Sequence, residues 1–386
     1  GLSRSEGTEA HPGLLMIQID GLSRRQLEDA LDHQRMPFLA SLIHGEGYRL
    51  HTLYSGQPAS TPAVQGELFF GVKGAVPAFS FYNRAKARVF TMFDRGAVTV
   101  VQEALKKQDA GLLQGGGAYS NIFSAGSDEA HFCPEFFGWE HLKKAIRPLV
   151  LLSSLLMHGL SLLRTAVLIV LEIVLAVIDF FHGLIAGRDM LKELKFVPTR
   201  VAISILLRDL VAIGATVDVL RGLPVVHLNF IGYDEQAHRR GPSSRFAHWS
   251  LKGIDDTIRR LVHSARRSQR RDYDVWVYSD HGQESCIPYP VETGTTIRQA
   301  VARVFGESGG VKKYTIQESR GIQFDRSKWL GGSFFTWLIG EEKTDETGIG
   351  TGPLVTAMGS VGHLYTSDPM DQKEKDRRAR QLVSEA

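Results

Sequence analysis

Cysteine is scarce in this 386-residue chain, which contains only Cys133 and Cys286. Two cysteines cannot form the framework of several disulfides that stabilises a small secreted domain, and they cannot supply a four-cysteine zinc site. An excess of charge is also missing, because 45 Lys and Arg residues against 42 Asp and Glu residues leave a net charge of +3. A balance this close to neutral does not predict a strongly acidic partner, and we expect no nucleic acid to bind.

The chain also lacks an uninterrupted apolar run of the roughly 20 residues that a membrane-spanning helix needs. Its most apolar part, residues 148–187, is interrupted by three charged side chains, and the longest uncharged stretch within it is 148–163. We therefore interpret residues 141–195 as an apolar helical insertion, which forms either a cap or an amphipathic pair on a membrane surface. A membrane hairpin and an ordinary buried helix pair remain the alternatives.

Short apolar runs rich in Val, Ile and aromatic residues are present at three places, residues 13–19, 224–231 and 274–279. Runs of this length predict buried parallel strands. Residues 201–221 and 249–265, which precede the second and third runs, have apolar positions at helical spacing. Strands that alternate with helices indicate an α/β fold with a doubly wound, mostly parallel sheet. Ligands bind such sheets beyond the carboxyl ends of the strands.

Carboxylate and imidazole side chains follow each of these three runs. Asp20 follows the first run, Asp234 and His238 follow the second at a spacing of one helical turn, and Asp280 and His281 follow the third. Singly, each has a structural explanation, such as an Asp-Gly turn or a helix N-terminus. Together they should converge on one edge of the sheet, where they would repel one another without a cation. Bound divalent metals would remove this repulsion, and Asp with His suits zinc first and manganese second.

A hydroxyl nucleophile is expected from the segment 55–66, which contains Ser60, Thr61 and Pro62. Proline is favoured in the first turn of a helix, so Thr61 is predicted to lie just before a helix N-terminus. Backbone N–H groups and the helix dipole favour a phosphate there, and a hydroxyl beside a metal loses its proton more easily. The alternative is that Ser60 or Thr61 only caps the helix.

The segments LLMIQIDGL, PASTPAVQ, GYDEQAH and YSDHGQ, with a late GHLY, resemble the type I phosphodiesterase/nucleotide pyrophosphatase branch of the alkaline phosphatase superfamily. MPFLASL, GELFFG, FSFYNR and GGGAYSNIFSAG are more similar to bacterial membrane-linked proteins of that branch, some of which are holin-associated. The resemblance implies an alkaline phosphatase-like catalytic domain made of residues 1–140 and 196–386, interrupted by the insertion at 141–195. It also implies a membrane-associated location in a bacterium, and we expect the chain to be a fragment of a longer membrane protein.

The resemblance also implies a role for individual residues. One metal would be held by Asp20, Thr61, Asp280 and His281, and the other by Asp234, His238 and His363. Thr61 would be both a ligand and the nucleophile. The nucleotide pyrophosphatases have an Asn just after the nucleophile that contacts phosphate, whereas the nearest amide in this chain is Gln65. Gln65 either binds the substrate in its place or only packs, and this difference leaves specificity for nucleotides open.

These roles predict a two-metal phosphoesterase that acts through a phospho-threonine intermediate. No Lys or Arg follows Thr61 closely, which favours a phosphodiester over a monoester. The apolar insertion favours a lipid-linked phosphate at a membrane surface, with soluble nucleotides as the alternative. A phosphomonoesterase or phosphomutase of the same superfamily, and a non-catalytic membrane scaffold that retains the metal site, are the competing interpretations. A sulfatase is disfavoured because the segment around Thr61 lacks the Cys or Ser that those enzymes convert to formylglycine.

Overall fold

The computed structural model describes residues 11–136, 177, 202–287, 289–306, 316–318, 353–357, 361–366 and 370–385. The predicted apolar insertion at 141–195 lies outside the described residues except for residue 177. Its boundaries and its structure therefore stay predictions.

The described strands and helices are numbered in chain order. The strands are β1 Gly13–Ile19, β2 Ser80–Asn83, β3 Arg88–Thr91, β4 Gly117–Tyr119, β5 Glu129–His131, β6 Val225–Phe230, β7 Tyr273–Tyr278, β8 Ile316–Glu318, β9 Leu354–Ala357 and β10 Gly362–Tyr365. The helices are α1 Arg24–Asp32, α2 Pro37–Gly45, α3 Thr61–Phe70, α4 Arg95–Lys106, α5 Arg208–Arg221, α6 Gly232–Arg240, α7 Arg245–Arg266, α8 Tyr289–Thr293, α9 Ile297–Gly306 and α10 Gln372–Glu385. A 3-10 turn, Pro134–Phe136, and a π-helical turn, Ala202–Leu207, complete the described elements.

The central sheet has the strand order β5-β4-β6-β1-β7, and each of its neighbouring pairs is parallel. The predicted α/β fold with a mostly parallel sheet is therefore confirmed. The three strands predicted from sequence are β1, β6 and β7, and the observed ends differ from the predicted ones by no more than one residue. Strand β1 lies between β6 and β7, so the segments that follow these three strands leave the sheet side by side.

Helices cover both faces of the sheet. On one face, alternate residues of β1 and β6 pack with α5, α7 and the first two helices, and Leu15, Ile17 and Leu228 are completely buried there. The predicted apolar stripe of α7 faces this core, and Leu251 and Ile258 are also completely buried. On the other face, α3 and α4 pack over a second core. Apolar area is thus removed from water on both sides, as a parallel sheet requires.

Two smaller sheets lie outside the central one. Strands β2 and β3 form an antiparallel hairpin, while β9 pairs in parallel with β8 and antiparallel with β10. Strand β2 also contacts β9. None of these five strands was expected from the sequence, because each is only three or four residues long. Over the described residues, none of the helices combines the length and the apolar character needed to cross a bilayer.

Candidate active site

Asp20 follows the last residue of β1 and is completely buried. Its backbone N–H donates to Phe230 O at 3.1 Å, which holds it beside the end of β6. Its side-chain Oδ2 accepts from Asn229 Nδ2 at 2.8 Å, and its Oδ1 accepts from Thr61 Oγ1 at 3.2 Å. The next residue, Gly21, has φ +71, and a β-carbon there would collide with the carboxylate of Asp234. The turn after β1 therefore requires glycine.

Thr61 is the first residue of α3, and Ser60 is the N-cap with φ −149 and ψ 148. The prediction that Thr61 lies before the helix was therefore wrong by one residue, because the extended conformation ends at Ser60. The Ser60 side chain makes no capping hydrogen bond, and the Thr61 hydroxyl points to Asp20 instead. Thr61 Oγ1 also lies 3.4 Å from His281 Nε2. The hydroxyl thus lies at a helix N-terminus and within reach of two candidate metal ligands.

Asp280 and His281 follow the end of β7. Asp280 is completely buried, and its Oδ1 accepts from Gly21 N at 3.4 Å. Within the described part of the chain its Oδ2 makes no hydrogen bond, although that oxygen lies 3.7 Å from His281 Nε2. The same imidazole nitrogen lies 3.4 Å from Asp20 Oδ1. The ends of β1 and β7 therefore bring two buried carboxylates and one imidazole together.

Asp234 and His238 both lie on α6, which begins directly after β6. They are one helical turn apart, and His238 Nε2 lies 3.4 Å from Asp234 Oδ2. Gln283 donates its side-chain amide to Asp234 Oδ1 and, at 3.3 Å, to the Asp234 backbone oxygen. One ligand atom from each of Asp20, Asp234 and His281 lies within 4.8 Å of the other two. The predicted convergence of the three strand ends is therefore present in the structure.

The electrostatics of the cluster favour positive charge beside its carboxylates. Burial, followed by the negative charge of Asp20, raises the pKa of Asp280 to about 7. Burial lowers the pKa of His281, but the nearby carboxylates, led by Asp280, outweigh burial and raise it to about 11. Asp234 likewise raises the pKa of His238 above its ordinary value. Carboxylates, imidazoles and a buried oxygen without a hydrogen bond are the donors that a divalent cation binds, so these residues fit a metal site.

Gln65 lies on α3 and is completely buried. Its amide nitrogen donates to Gln18 Oε1 at 3.0 Å, and its carbonyl oxygen accepts from the backbone of Ile122 at 2.8 Å. These contacts tie α3 to β1 beneath the site. They favour the packing role over the substrate-binding role, and a contact between Gln65 and phosphate stays a prediction.

His363 lies on β10, in the smaller three-stranded sheet. Its Nε2 is 3.1 Å from Pro77 O, and its ring lies beside Tyr365. The cluster of mutually close ligand atoms found among the described residues does not include His363. Strand β10 is not part of the central sheet, so the role of His363 as a metal ligand still depends on the resemblance alone.

A polar layer beneath the site was not expected from the sequence. His227 on β6 contacts Asn121 Oδ1 through Nδ1 at 2.8 Å and Tyr278 through Nε2 at 2.6 Å, and the Tyr278 hydroxyl donates to Gln18 at 3.2 Å. Burial lowers the pKa of His227 to about 3, so its imidazole is neutral. The available signal was the presence of polar residues inside apolar strands, at positions 18, 227 and 229.

Comparison with protein families gives a match over part of the chain. The sequence model of a family described as type I phosphodiesterase / nucleotide pyrophosphatase matches residues 211–322. This segment contains Asp234, His238, Asp280 and His281, whereas Asp20 and Thr61 lie outside it. No curated protein and no solved structure matches the chain. The match supports a hydrolase, a phosphoesterase with a phosphodiester substrate, and it does not test the narrower resemblance to holin-associated bacterial proteins.

Proposed function

We propose that this chain is a metal-dependent phosphodiesterase or pyrophosphatase in which Thr61 attacks phosphorus. The observation that carries the proposal is the position of one hydroxyl: Thr61 Oγ1 lies 3.2 Å from Asp20 Oδ1 and 3.4 Å from His281 Nε2. A threonine that only packed or capped α3 would not need two ionisable partners. A nucleophile has its hydroxyl beside groups that accept or displace its proton.

The site would hold two divalent metal ions, with zinc as the first choice and manganese as the second. We assign one ion to Asp20, Thr61, Asp280 and His281, and the other to Asp234, His238 and His363. When bound, the ions would lower the pKa of the Thr61 hydroxyl and offset the negative charge on the phosphoryl oxygens.

The residues of the chain would act in two steps. In the first, the hydroxyl proton of Thr61 passes to solvent, the bond from Thr61 Oγ1 to phosphorus forms, and the bond from phosphorus to the leaving group breaks, so that the leaving group departs as its oxyanion. The first turn of α3 would hold the phosphoryl group, because N–H groups at a helix N-terminus favour an anion. In the second step, water attacks phosphorus, the bond to Thr61 Oγ1 breaks and the hydroxyl is restored.

For the substrate, we propose a phosphodiester that is linked to a lipid, cleaved at a membrane surface in a bacterium. The support is the apolar composition of residues 148–187, since apolar segments with a few charged residues are typical of helices that bind a membrane surface. Hydrolysis of a lipid-linked diester in liposomes should then be faster than hydrolysis of a soluble nucleotide diester. Equal rates of hydrolysis for the two diesters, unchanged by liposomes, would contradict a lipid-linked substrate. They would not contradict phosphodiesterase activity.

The reaction itself is tested with bis-p-nitrophenyl phosphate and p-nitrophenyl phosphate, in the presence of zinc or manganese and after chelation. The native chain should cleave the diester faster than the monoester, and only with metal. Thr61→Ala should lower kcat by about 10³-fold or more, since it removes the nucleophile. Ser60→Ala is the matched control, because it removes the adjacent hydroxyl and should leave cleavage unchanged.

Two results would contradict this function. Faster cleavage of the monoester than of the diester would indicate a phosphomonoesterase of the same superfamily instead of a phosphodiesterase. Bound metal without turnover of either compound would favour a scaffold that keeps the site for its stability.

A further inference from the structure

Two side-chain amides contact the carboxylates of the candidate active site. Asn229, on β6, donates Nδ2 to Asp20 Oδ2 at 2.8 Å and is 2% exposed. Gln283, two residues beyond His281, donates Nε2 to Asp234 Oδ1 and is half-buried. Neither amide belongs to the ligand set proposed above, and both contact only one of the two oxygens of their carboxylate.

The second oxygen of each carboxylate has different neighbours. Asp20 Oδ1 lies 3.2 Å from Thr61 Oγ1 and 3.4 Å from His281 Nε2. Asp234 Oδ2 lies 3.4 Å from His238 Nε2. In both aspartates, therefore, one oxygen faces an amide and the other faces a side chain that can bind metal.

The local structure explains how each amide reaches its carboxylate. Asn229 pairs with Gln18 in the parallel register of β6 and β1, which places it beside the strand that leads into Asp20. Gln283 follows the turn after β7 and also donates to the backbone oxygen of Asp234, so its contact with α6 has two points. Both amides are thus fixed by the backbone elements that carry the ligands.

We infer that Asn229 and Gln283 are positioning residues that each occupy one oxygen of a metal-binding aspartate, so that only the other oxygen binds metal. The inference rests on the proposed metal-dependent function. An amide suits this task because it donates a hydrogen bond without a positive charge that would compete with the cation. Hydrogen bonds of this kind orient metal ligands, and their loss weakens metal binding by about 10–100-fold. Carboxylates that bind through one oxygen favour zinc over calcium, which takes 6–8 oxygens and often binds both oxygens of a carboxylate.

The test uses variants that remove the donor and keep the volume, Asn229→Leu and Gln283→Met. Zinc affinity is measured by competition with a chromophoric chelator, and the apparent Kd of each variant should rise about 10–100-fold. The visible absorption spectrum of the cobalt-substituted protein should also change, because it reports the number and geometry of the ligands. Weaker discrimination between zinc and calcium is expected in both variants.

The matched controls remove amides that contact no metal-binding carboxylate. Asn121→Leu removes a buried amide that contacts His227, and Gln26→Met removes an amide that contacts Ser243 and His248. Both controls should keep the zinc affinity and the cobalt spectrum of the native chain. Thermal unfolding in chelator shows whether each variant is folded, and Gln283→Met, in a half-buried loop, provides the test if Asn229→Leu does not fold.

Native affinity and a native cobalt spectrum in Gln283→Met and in folded Asn229→Leu would overturn the inference while leaving the proposed function intact. An equal loss of affinity in the controls would also overturn it, because the effect would then come from general loosening of the fold. If the native chain bound no zinc or cobalt, the metal site itself would fail, and the proposed function would fail with it.

Discussion

Asp280 is the residue that most clearly indicates a cation. It is completely buried, one of its oxygens makes no hydrogen bond within the described residues, and burial next to Asp20 raises its pKa to about 7. A folded-state pKa above the ordinary value means that the ionised carboxylate destabilises the metal-free fold, and that this cost grows as the pH rises from the ordinary pKa of an aspartate to about 7 and is constant above that. Because the ionised Asp280 lowers the stability of the metal-free fold, we attribute its presence to metal binding rather than to stability.

Replacement of Asp280 by Asn should therefore separate stability from metal binding. The variant is expected to raise the free energy of unfolding of the chelated protein at pH 8, because a buried negative charge disappears. It should also lose the stabilisation that zinc gives the native chain, which is about 2.7 kcal/mol when free zinc is at 100 times its Kd. Urea unfolding with and without zinc measures both quantities.

The control is Asp255→Asn, at a carboxylate away from the site. Asp255 accepts from the backbone N–H groups of Phe38 and Leu39 at 2.9 Å each, so this variant should keep the full gain from zinc, whatever its own stability in chelator. A gain from zinc that persists in Asp280→Asn would contradict the ligand assignment.

The positions of Asp20, Asp280 and His281 could be predicted from the sequence, but the amides that contact the carboxylates could not. Asp20, Asp280 and His281 directly follow apolar runs that end at one edge of a parallel sheet, so their position follows from the strand pattern alone. Asn229 and Gln283 have no such pattern, because a side-chain amide near a strand end is common and only the folded chain shows which carboxylate it contacts.

At the scale of secondary structure, the sequence predicted that helix α3 exists but not the tertiary contacts that hold it in place. Pro62 in the first turn predicted a helix here, and the structure has one. The sequence did not show that Gln65 ties this helix to β1 through Gln18 and to the loop backbone at Ile122, since these partners are distant in the chain. The strands β4 and β5 were missed for a simpler reason, because three residues are too few for an apolar pattern.

Gln65→Leu should therefore destabilise the protein more than it affects the binding of substrate. The substitution leaves the Ile122 N–H without its present partner, whereas the Gln18 oxygen keeps its hydrogen bond from the Tyr278 hydroxyl. A buried polar group left unsatisfied costs about 1–3 kcal/mol, so we expect the free energy of unfolding to fall by about that amount in urea denaturation. The exposed Gln108→Leu is the control and should change it by no more than about 0.5 kcal/mol.

An unchanged stability in Gln65→Leu, together with a raised KM for the diester, would contradict the packing role. That result would instead assign Gln65 to the phosphate of the substrate.

At the scale of the whole molecule, the order of the strands assembles the site from two separate parts of the chain. The family match covers residues 211–322, which supply β6, α6 and β7 with their Asp and His residues. Strand β1 lies between β6 and β7, so it inserts Asp20 from outside the matched segment into the middle of that set. The parallel α/β fold could be predicted from the sequence, whereas the strand order depends on crossovers that local patterns do not encode.

The insertion predicted at 141–195 stays a prediction, as does any membrane surface that it would contact. The proposed chemistry does not require the insertion, because the contacts of Thr61, Asp20, His281 and Asp280 all lie within the described residues.

The most direct test of the central claim is the mass of the protein during turnover. The native chain is mixed with bis-p-nitrophenyl phosphate and zinc, quenched in acid within the first turnovers and digested, and the peptide that contains Thr61 is analysed by mass spectrometry. The account predicts a p-nitrophenyl phosphoryl group on Thr61 that disappears as turnover proceeds, and none in Thr61→Ala. Continued turnover by Thr61→Ala, with no adduct on the native peptide, would show that water attacks the substrate directly and would contradict the role of Thr61.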